Sequence, residues 1–139
     1  MAGLSEDKNL PSLIPSLPLR ERMRVKENQK MIQITISNRI YRVELADNEL
    51  IREQGLQFRH SLGSEEGMFF VFEQPDRHSF WMKDTFISLD ILWISEDFRV
   101  IYIVQNTSGD DFTEEPSCYI PDQEALYVLE IGAGEVSRW

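Results

Sequence analysis

Residues 86–94, Phe-Ile-Ser-Leu-Asp-Ile-Leu-Trp-Ile, most constrain what this chain can fold into. Side chains alternate faces along a strand. On that pleat Ile87, Leu89, Ile91 and Trp93 share one face, and Phe86, Ser88, Asp90, Leu92 and Ile94 share the other. Both faces are largely apolar, which is the pattern of a central strand covered on both sides. Met68-Phe69-Phe70-Val71-Phe72 is apolar at every position and reads the same way. Asp90 lies inside such a run and is expected to be at least partly buried. A carboxylate there needs hydrogen-bond donors or a cation, or its pKa rises.

The rest of the chain extends this β pattern. Residues 31–37 alternate cleanly, with Ile32, Ile34 and Ile36 on one face. Asn38-Arg39 is a candidate tight turn before a strand over 40–45. Asp47 reads as a helix N-cap with Glu49 in the first turn. Leu50 and Ile51 give that helix a modest inner face, and Gly55 ends it. Further strands are expected over 78–83, 98–105, 117–120 and 125–131, with turns at Glu73 to Asp76, Glu96-Asp97 and Pro121-Asp122. Gly132-Ala133-Gly134 breaks the last strand before a helical turn from Glu135. Several short strands, one short helix and no βαβ rhythm point to a mainly β fold: an antiparallel β-sandwich or partly open barrel.

The chain has 139 residues, enough for one domain with its own core. Residues 1–30 hold six basic and four acidic groups, with prolines at 11, 15 and 18 that prevent a continuous helix. They are expected to form a disordered or extended tail, leaving 31–139 as a single domain. That body holds eight basic and twenty acidic groups, a balance of −12. Such a surface repels phosphate backbones, so nucleic acid is not an expected partner. No run approaches the ~20 apolar residues of a membrane span. Early acidic residues and the prolines do not fit a signal peptide, so the chain as written is read as cytoplasmic. The single cysteine, Cys118, rules out an internal disulfide and any multi-cysteine zinc site, and reads as a small half-buried residue. The acidic loop over 106–117 lacks the ligand order of an EF-hand and reads as solvated.

The polar knot Lys83-Asp84-Thr85, between two apolar runs, is the strongest candidate site. Lys83 is the only lysine between Met31 and Trp139, and stands beside Trp81 and Asp84. The plainer alternative is a hairpin end with solvated charges. For Asp90 the plainer alternative is a structural carboxylate bonded to backbone N–H groups or to an arginine.

The succession Gln54-Gly55-Leu56-Gln57-Phe58-Arg59, Glu66-Gly67-Met68-Phe69-Phe70-Val71-Phe72, His78-Ser79-Phe80-Trp81-Met82-Lys83-Asp84-Thr85, Leu89-Asp90-Ile91, Tyr127-Val128-Leu129-Glu130 and Gly132-Ala133-Gly134 resembles the domain-of-unknown-function family 192 over about 31–139. The resemblance implies a compact, mostly β domain with one short helix, found in bacteria and archaea, and no established activity, cofactor or substrate. Members are often exported or lipid-anchored, so it implies a periplasmic or extracellular setting if a signal was removed. The family pattern usually continues past Glu135-Val136-Ser137-Arg138 with a short Gly-containing segment, whereas this chain stops at Trp139, which implies a truncated or divergent closing element.

Three functions are open at this point. In the first, a small-ligand or peptide-binding module, a groove is lined by Trp81, Met82, Lys83 and Tyr119 with Arg59 and Asp90 as polar fixation; His78, Asp84 and Thr85 complete the candidate contacts. The second, a hydrolase-like enzyme, uses Asp84 or Asp90 as acid or base and Lys83 as electrostatic stabiliser. No nucleophile elbow supports it: neither Ser79 nor Ser88 lies in a Gly-x-Ser-x-Gly motif. No cofactor is expected, and no metal: a site from His60, His78 and an aspartate requires the fold to bring them together. The third is a structural or protein-interaction domain using strand edges or the tail. The first is preferred, and the oligomeric state stays open.

Overall fold

The computed structural model describes residues 3–4, 29–109 and 115–139. The expected tail falls mostly on residues 1–2 and 5–28, outside the described ones, as do Asp110, Asp111 and Glu114 of the acidic loop. In chain order the elements are β1 (Gly3–Leu4), β2 (Lys30–Ile36), β3 (Arg39–Ala46), α1 (Glu49–Gln54), β4 (Glu66–Asp76), β5 (Phe80–Trp81), β6 (Leu89–Ile94), β7 (Val100–Val104), β8 (Cys118–Tyr119) and β9 (Ala125–Gly132), closed by a 3-10 turn over Val136–Arg138. The protein is mainly β with one short helix. Its strands make a six-stranded sheet, ordered β2-β3-β4-β9-β6-β7, and a three-stranded one, β1-β5-β8; no barrel closes among the described residues.

Register follows from the apolar pattern. Leu89, Ile91 and Trp93 of β6 face the same side as Met68, Phe70, Phe72 and Val128, and that side is covered by Ile51 and Leu56 around α1 and by Phe80 and Met82. Leu92 and Ile94 face the other side, with Tyr41, Val43, Phe69, Leu129 and Ile131, and there Val136 and Trp139 pack against them. Two cores therefore sandwich the sheet, and fully burying each large apolar side chain contributes roughly 1.5–3 kcal/mol. Gly67 is needed where β4 meets β9: a Cβ there would stand 2.2 Å from the Glu130 carbonyl oxygen.

Several local expectations need correction. The first hairpin turns at Ser37-Asn38, one residue earlier than Asn38-Arg39; both have positive φ, 51° and 62°, the geometry that matches strand twist without a glycine. The N-cap of α1 is Asn48, not Asp47: its side chain accepts the Ile51 N–H at 3.0 Å. Leu50 points outward and Arg52 inward, because the Arg52 guanidinium reaches the Val71 carbonyl at 2.9 Å and lies over the Phe72 ring. There is also a βαβ step. β3 and β4 are parallel, the one parallel pair among the described strands, and α1 lies in the connection between them. A six-residue helix is too short to announce itself by periodicity. The apolar run 86–94 becomes strand only from Leu89, and 78–83 only at Phe80–Trp81. No helix among the described residues is long and apolar enough to cross a membrane.

Candidate functional site

The chain leaving α1 and the chain leaving β5 meet in a clamp. Gly55, at φ 52° and ψ −132°, stops the helix and donates its N–H to the Ile51 carbonyl at 2.9 Å. The turn that follows buries Leu56 and Gln57 and forces Phe58 to φ 67°. Beyond β5, Thr85 donates its N–H to the Met82 carbonyl at 3.1 Å and its hydroxyl to the Lys83 carbonyl at 3.2 Å, closing a tight turn in which Asp84 has φ 56°. The two turns are joined directly: Phe58 donates its N–H to the Asp84 carbonyl at 2.8 Å, and the Gln57 amide makes a longer bond, 3.4 Å, to the Lys83 carbonyl. Aspartate tolerates left-handed backbone, whereas a phenylalanine there is an outlier that surrounding structure must enforce.

Around this clamp stand half-buried Lys83 and Asp84, half-buried Arg59 and exposed His60. Arg59 makes an ion contact of 2.5 Å to Glu44, a charge contact rather than a well-angled hydrogen bond. The His60 ring stacks on Phe86 at 5.4 Å, and Phe58 meets the edge of Phe86 at 6.5 Å. The Lys83 ammonium lies over the Trp81 ring, 5.4 Å from its centroid.

The other expected contacts divide. Thr85 serves the clamp. Trp81 is buried in β5; Met82 belongs to the core and Tyr119 packs half-buried against it. His78 is half-buried: its ring stacks on Phe72 at 3.6 Å, its Nε2 pairs with the Gln74 carbonyl at 3.0 Å, and its carbonyl accepts the Trp93 indole N–H at 2.8 Å. Asp90 is not brought to Lys83. It is fully buried on the opposite face of the sheet, with Leu92 and Ile94. Its Oδ1 accepts the Asn106 N–H at 2.9 Å, and its Oδ2 accepts those of Gly134 and Val136 at 3.1 and 3.0 Å. His60 and His78 have different partners, and no group of three or more histidines, cysteines or acids able to hold a metal is present among the described residues.

Glu130 was missed as a candidate. It is fully buried on the helix side of the sheet, between Met68 and Ile91 in register. Its phase with Val128 in 125–131 is the signal that could have found it. A hollow of about 510 Å³ lies elsewhere, at the far end of β6, lined by Pro75, Ser95, Glu96, Asp97 and Glu124. Asp97 there is exposed, its carboxyl held below the ordinary range chiefly by the Ser95 hydroxyl. Nothing else draws a ligand to that open, acidic place.

The family model DUF192, described as uncharacterised ACR, matches residues 30–139. The chain is a member of the DUF192 family. Two solved structures resemble this DUF192 chain. One is a protein of unknown function from Novosphingobium aromaticivorans DSM 12444, 34% identical, with a TM-score of 0.69 over 79% of this chain and 77% of that one. The other, from Sinorhizobium meliloti 1021 and provisionally described as a transcription regulator, is 33% identical with a TM-score of 0.65 over 79% of this chain and 84% of its own. No curated protein matches the chain. DUF192 is a family of unknown function, and the clamp joins two of the segments that carried the resemblance, 54–59 and 78–85.

Proposed function

We propose that this DUF192 protein is a binding module for a small ligand or a peptide segment, with its contact surface where the 55–60 and 82–86 turns meet. One observation carries the reading: two left-handed residues, Phe58 and Asp84, are hydrogen-bonded to each other across the two turns. Backbone strain of this kind costs of order 1–3 kcal/mol per residue and is retained where it positions something. The two turns carry Lys83 and Asp84 on one and Arg59 and His60 on the other, with Phe58 and His60 against the Phe86 ring, a mix of aromatic and polar residue types that suits a ligand contact.

The enzyme reading draws less support, because Asp90, one of its two acids, spends both oxygens on three backbone N–H groups. A regulator role of the kind given to the Sinorhizobium meliloti protein finds no support in the charge of the body, −12 over residues 31–139.

The test is a thermal-shift screen of the full chain against metabolites, glycans and short peptides, followed by amide chemical-shift mapping of the hits. Saturable stabilisation with shifts centred on 55–60 and 82–86 is expected. A folded protein that responds to nothing in a broad panel, or only at surfaces away from these turns, overturns the reading.

A further inference from the structure

The small sheet is completed by a segment from outside the family domain. The match to the family covers residues 30–139, which supply β5 and β8; the third strand, β1, is Gly3–Leu4, and residues 5–28 separate it in sequence from the rest. β1 runs antiparallel to β5, with Gly3 opposite Trp81 and Leu4 opposite Phe80, and it also lies against α1. The register decides which main-chain groups it meets. Just past β5, Met82 donates its N–H to the Ser117 carbonyl, on the β8 side, at 2.9 Å. Successive residues of a strand turn their N–H and C=O to opposite sides, so Trp81 turns its pair away from β8 and toward β1. Trp81 is 1% exposed, and buried main-chain groups need partners. In an antiparallel ladder the residue directly opposite supplies both, and here that residue is Gly3.

A two-residue strand is a weak occupant. An ordinary main-chain hydrogen bond shifts an equilibrium by only about two- to tenfold, and the cost of ordering the segment that makes it opposes this. A longer extended segment can therefore take the same edge, and adding a strand to a sheet is a general way of holding a peptide. The place also connects with the clamp. α1 runs into the 55–60 turn and β5 into the 82–86 turn, and β1 touches both elements. Because the pairing is antiparallel, a bound strand that continues toward its own N-terminus from the position of Gly3 passes Met82 and meets the 82–86 turn. The internal occupant also sets a pattern: a glycine stands opposite the bulky Trp81. We infer that the outer edge of β5 is a strand-addition site for an extended peptide with a small residue opposite Trp81, and that Gly3–Leu4 occupies it as an internal competitor. This rests on the binding-module reading and narrows its ligand to peptide.

The experiment uses the full chain and a synthetic peptide spanning Met1 to Lys8. Proline at positions 3 and 4 removes the N–H groups that a ladder needs. Backbone amide exchange at Trp81 should therefore speed up about tenfold in the Gly3→Pro/Leu4→Pro variant, while Met82, bonded to Ser117, keeps its rate. The peptide should restore the protection of Trp81 saturably, and the same peptide with prolines at 3 and 4 should not. A fluorescent copy of the peptide should bind the variant about tenfold more tightly than the native chain, as for an edge that is about nine-tenths self-occupied. An unchanged Trp81 rate in the variant, or a peptide that leaves Trp81 unprotected, overturns the inference. Equal affinity for the two chains overturns it as well, since Gly3–Leu4 would then not be holding the edge. So does Trp81 protection in the native chain that rises with protein concentration, which would seat a second copy's segment there. Should the double variant lose its fold, with Met82 exchanging as fast as Trp81, Gly3→Pro alone decides by the same measurements. If screening hits shift the 55–60 and 82–86 amides while the peptide leaves Trp81 unprotected, this inference fails and the wider reading stands. If the peptide protects Trp81 and the two turns respond to nothing, the strand site stands and the placement of the contact surface at the turns falls.

Discussion

Asp84 and Asp90 stand six positions apart, and the fold uses them in opposite ways. Asp90 points into the core under Leu92 and Ile94, and its side chain holds backbone: three N–H groups from Asn106, Gly134 and Val136 close on its two oxygens. Asp84 contributes through its main chain. Its carbonyl takes the Phe58 N–H, its φ is 56°, and its side chain stays at a half-buried surface beside Lys83. One carboxylate is a fastener that ties the end of β7 and the C-terminal turn to β6. The other is held in place by its own backbone and kept at the surface. An acid's position in an apolar run or in a turn does not by itself assign its role; the source of the donors does.

If Asp90 is the fastener, removing it should produce the largest effect. Asp90→Ala strips three charge-assisted bonds from enclosed backbone and should cost about 4 kcal/mol in denaturant unfolding. Asp90→Asn keeps one acceptor oxygen and should cost about half of that. Asp84→Asn, by contrast, should change stability by no more than about 0.5 kcal/mol. Equal losses at the two positions would erase the distinction between them.

The C-terminal turn has a second tie. Tyr41 donates its hydroxyl to Glu135 at 3.2 Å and accepts the Trp139 indole N–H at 2.8 Å, while Glu135 also pairs with Arg138 at 3.1 Å. Tyr41→Phe should cost about 1.5 kcal/mol. Burial, above all, pushes the Tyr41 hydroxyl above its ordinary 10.0; the Trp139 bond opposes this and the Glu135 carboxylate adds to it. The folded state therefore holds the phenol proton more tightly than the unfolded chain. That contribution is complete below pH 10 and is lost as pH rises through the folded value. Wild-type stability should fall more steeply above pH 10 than that of Tyr41→Phe, in unfolding curves taken across that range.

Much of this was legible in the sequence because burial on both faces leaves a continuous apolar signal. Residues 68–72 and 89–94 declare central strands, and the alternation in 31–36 places Ile32, Ile34 and Ile36 toward one core. The Lys83-Asp84-Thr85 knot stood out because polar residues interrupt that signal. What was not legible depends on contacts between distant segments. The parallel β3–β4 pair is set by a short helix with little periodicity. The Phe58–Asp84 clamp rests on two positive φ values that neither residue type reveals, phenylalanine least of all. Asp90's partners lie 16, 44 and 46 residues away, so only the fold tells that its donors are backbone.

The clamp can be separated from ordinary packing by comparing two truncations at Phe58. Loss of side-chain contact alone would make Phe58→Gly the worse of the two, since alanine retains more surface and costs less backbone entropy. At φ 67° the order should invert: glycine adopts left-handed backbone freely, while alanine keeps a strain of roughly 1–2 kcal/mol. Phe58→Gly should therefore be the more stable variant by about 1 kcal/mol in matched urea titrations. Alanine faring better would mean that the turn relaxes once the ring is gone, and that the ring rather than the fold enforces the strain.

Lys83→Gln should change stability only a little and is for that reason the sharpest test of the contrast. The substitution removes the ammonium over the Trp81 ring, worth about 0.5–1 kcal/mol at a partly exposed position. The Lys83 contacts with Gln57 and Thr85 are made by its carbonyl, which glutamine retains. Unfolding should therefore shift by less than about 1 kcal/mol, while any ligand response at the 82–86 turn weakens markedly. A loss matching that of Asp90→Asn would place Lys83 among the fasteners. The signature would then be explained by folding alone, with no surface kept for a partner.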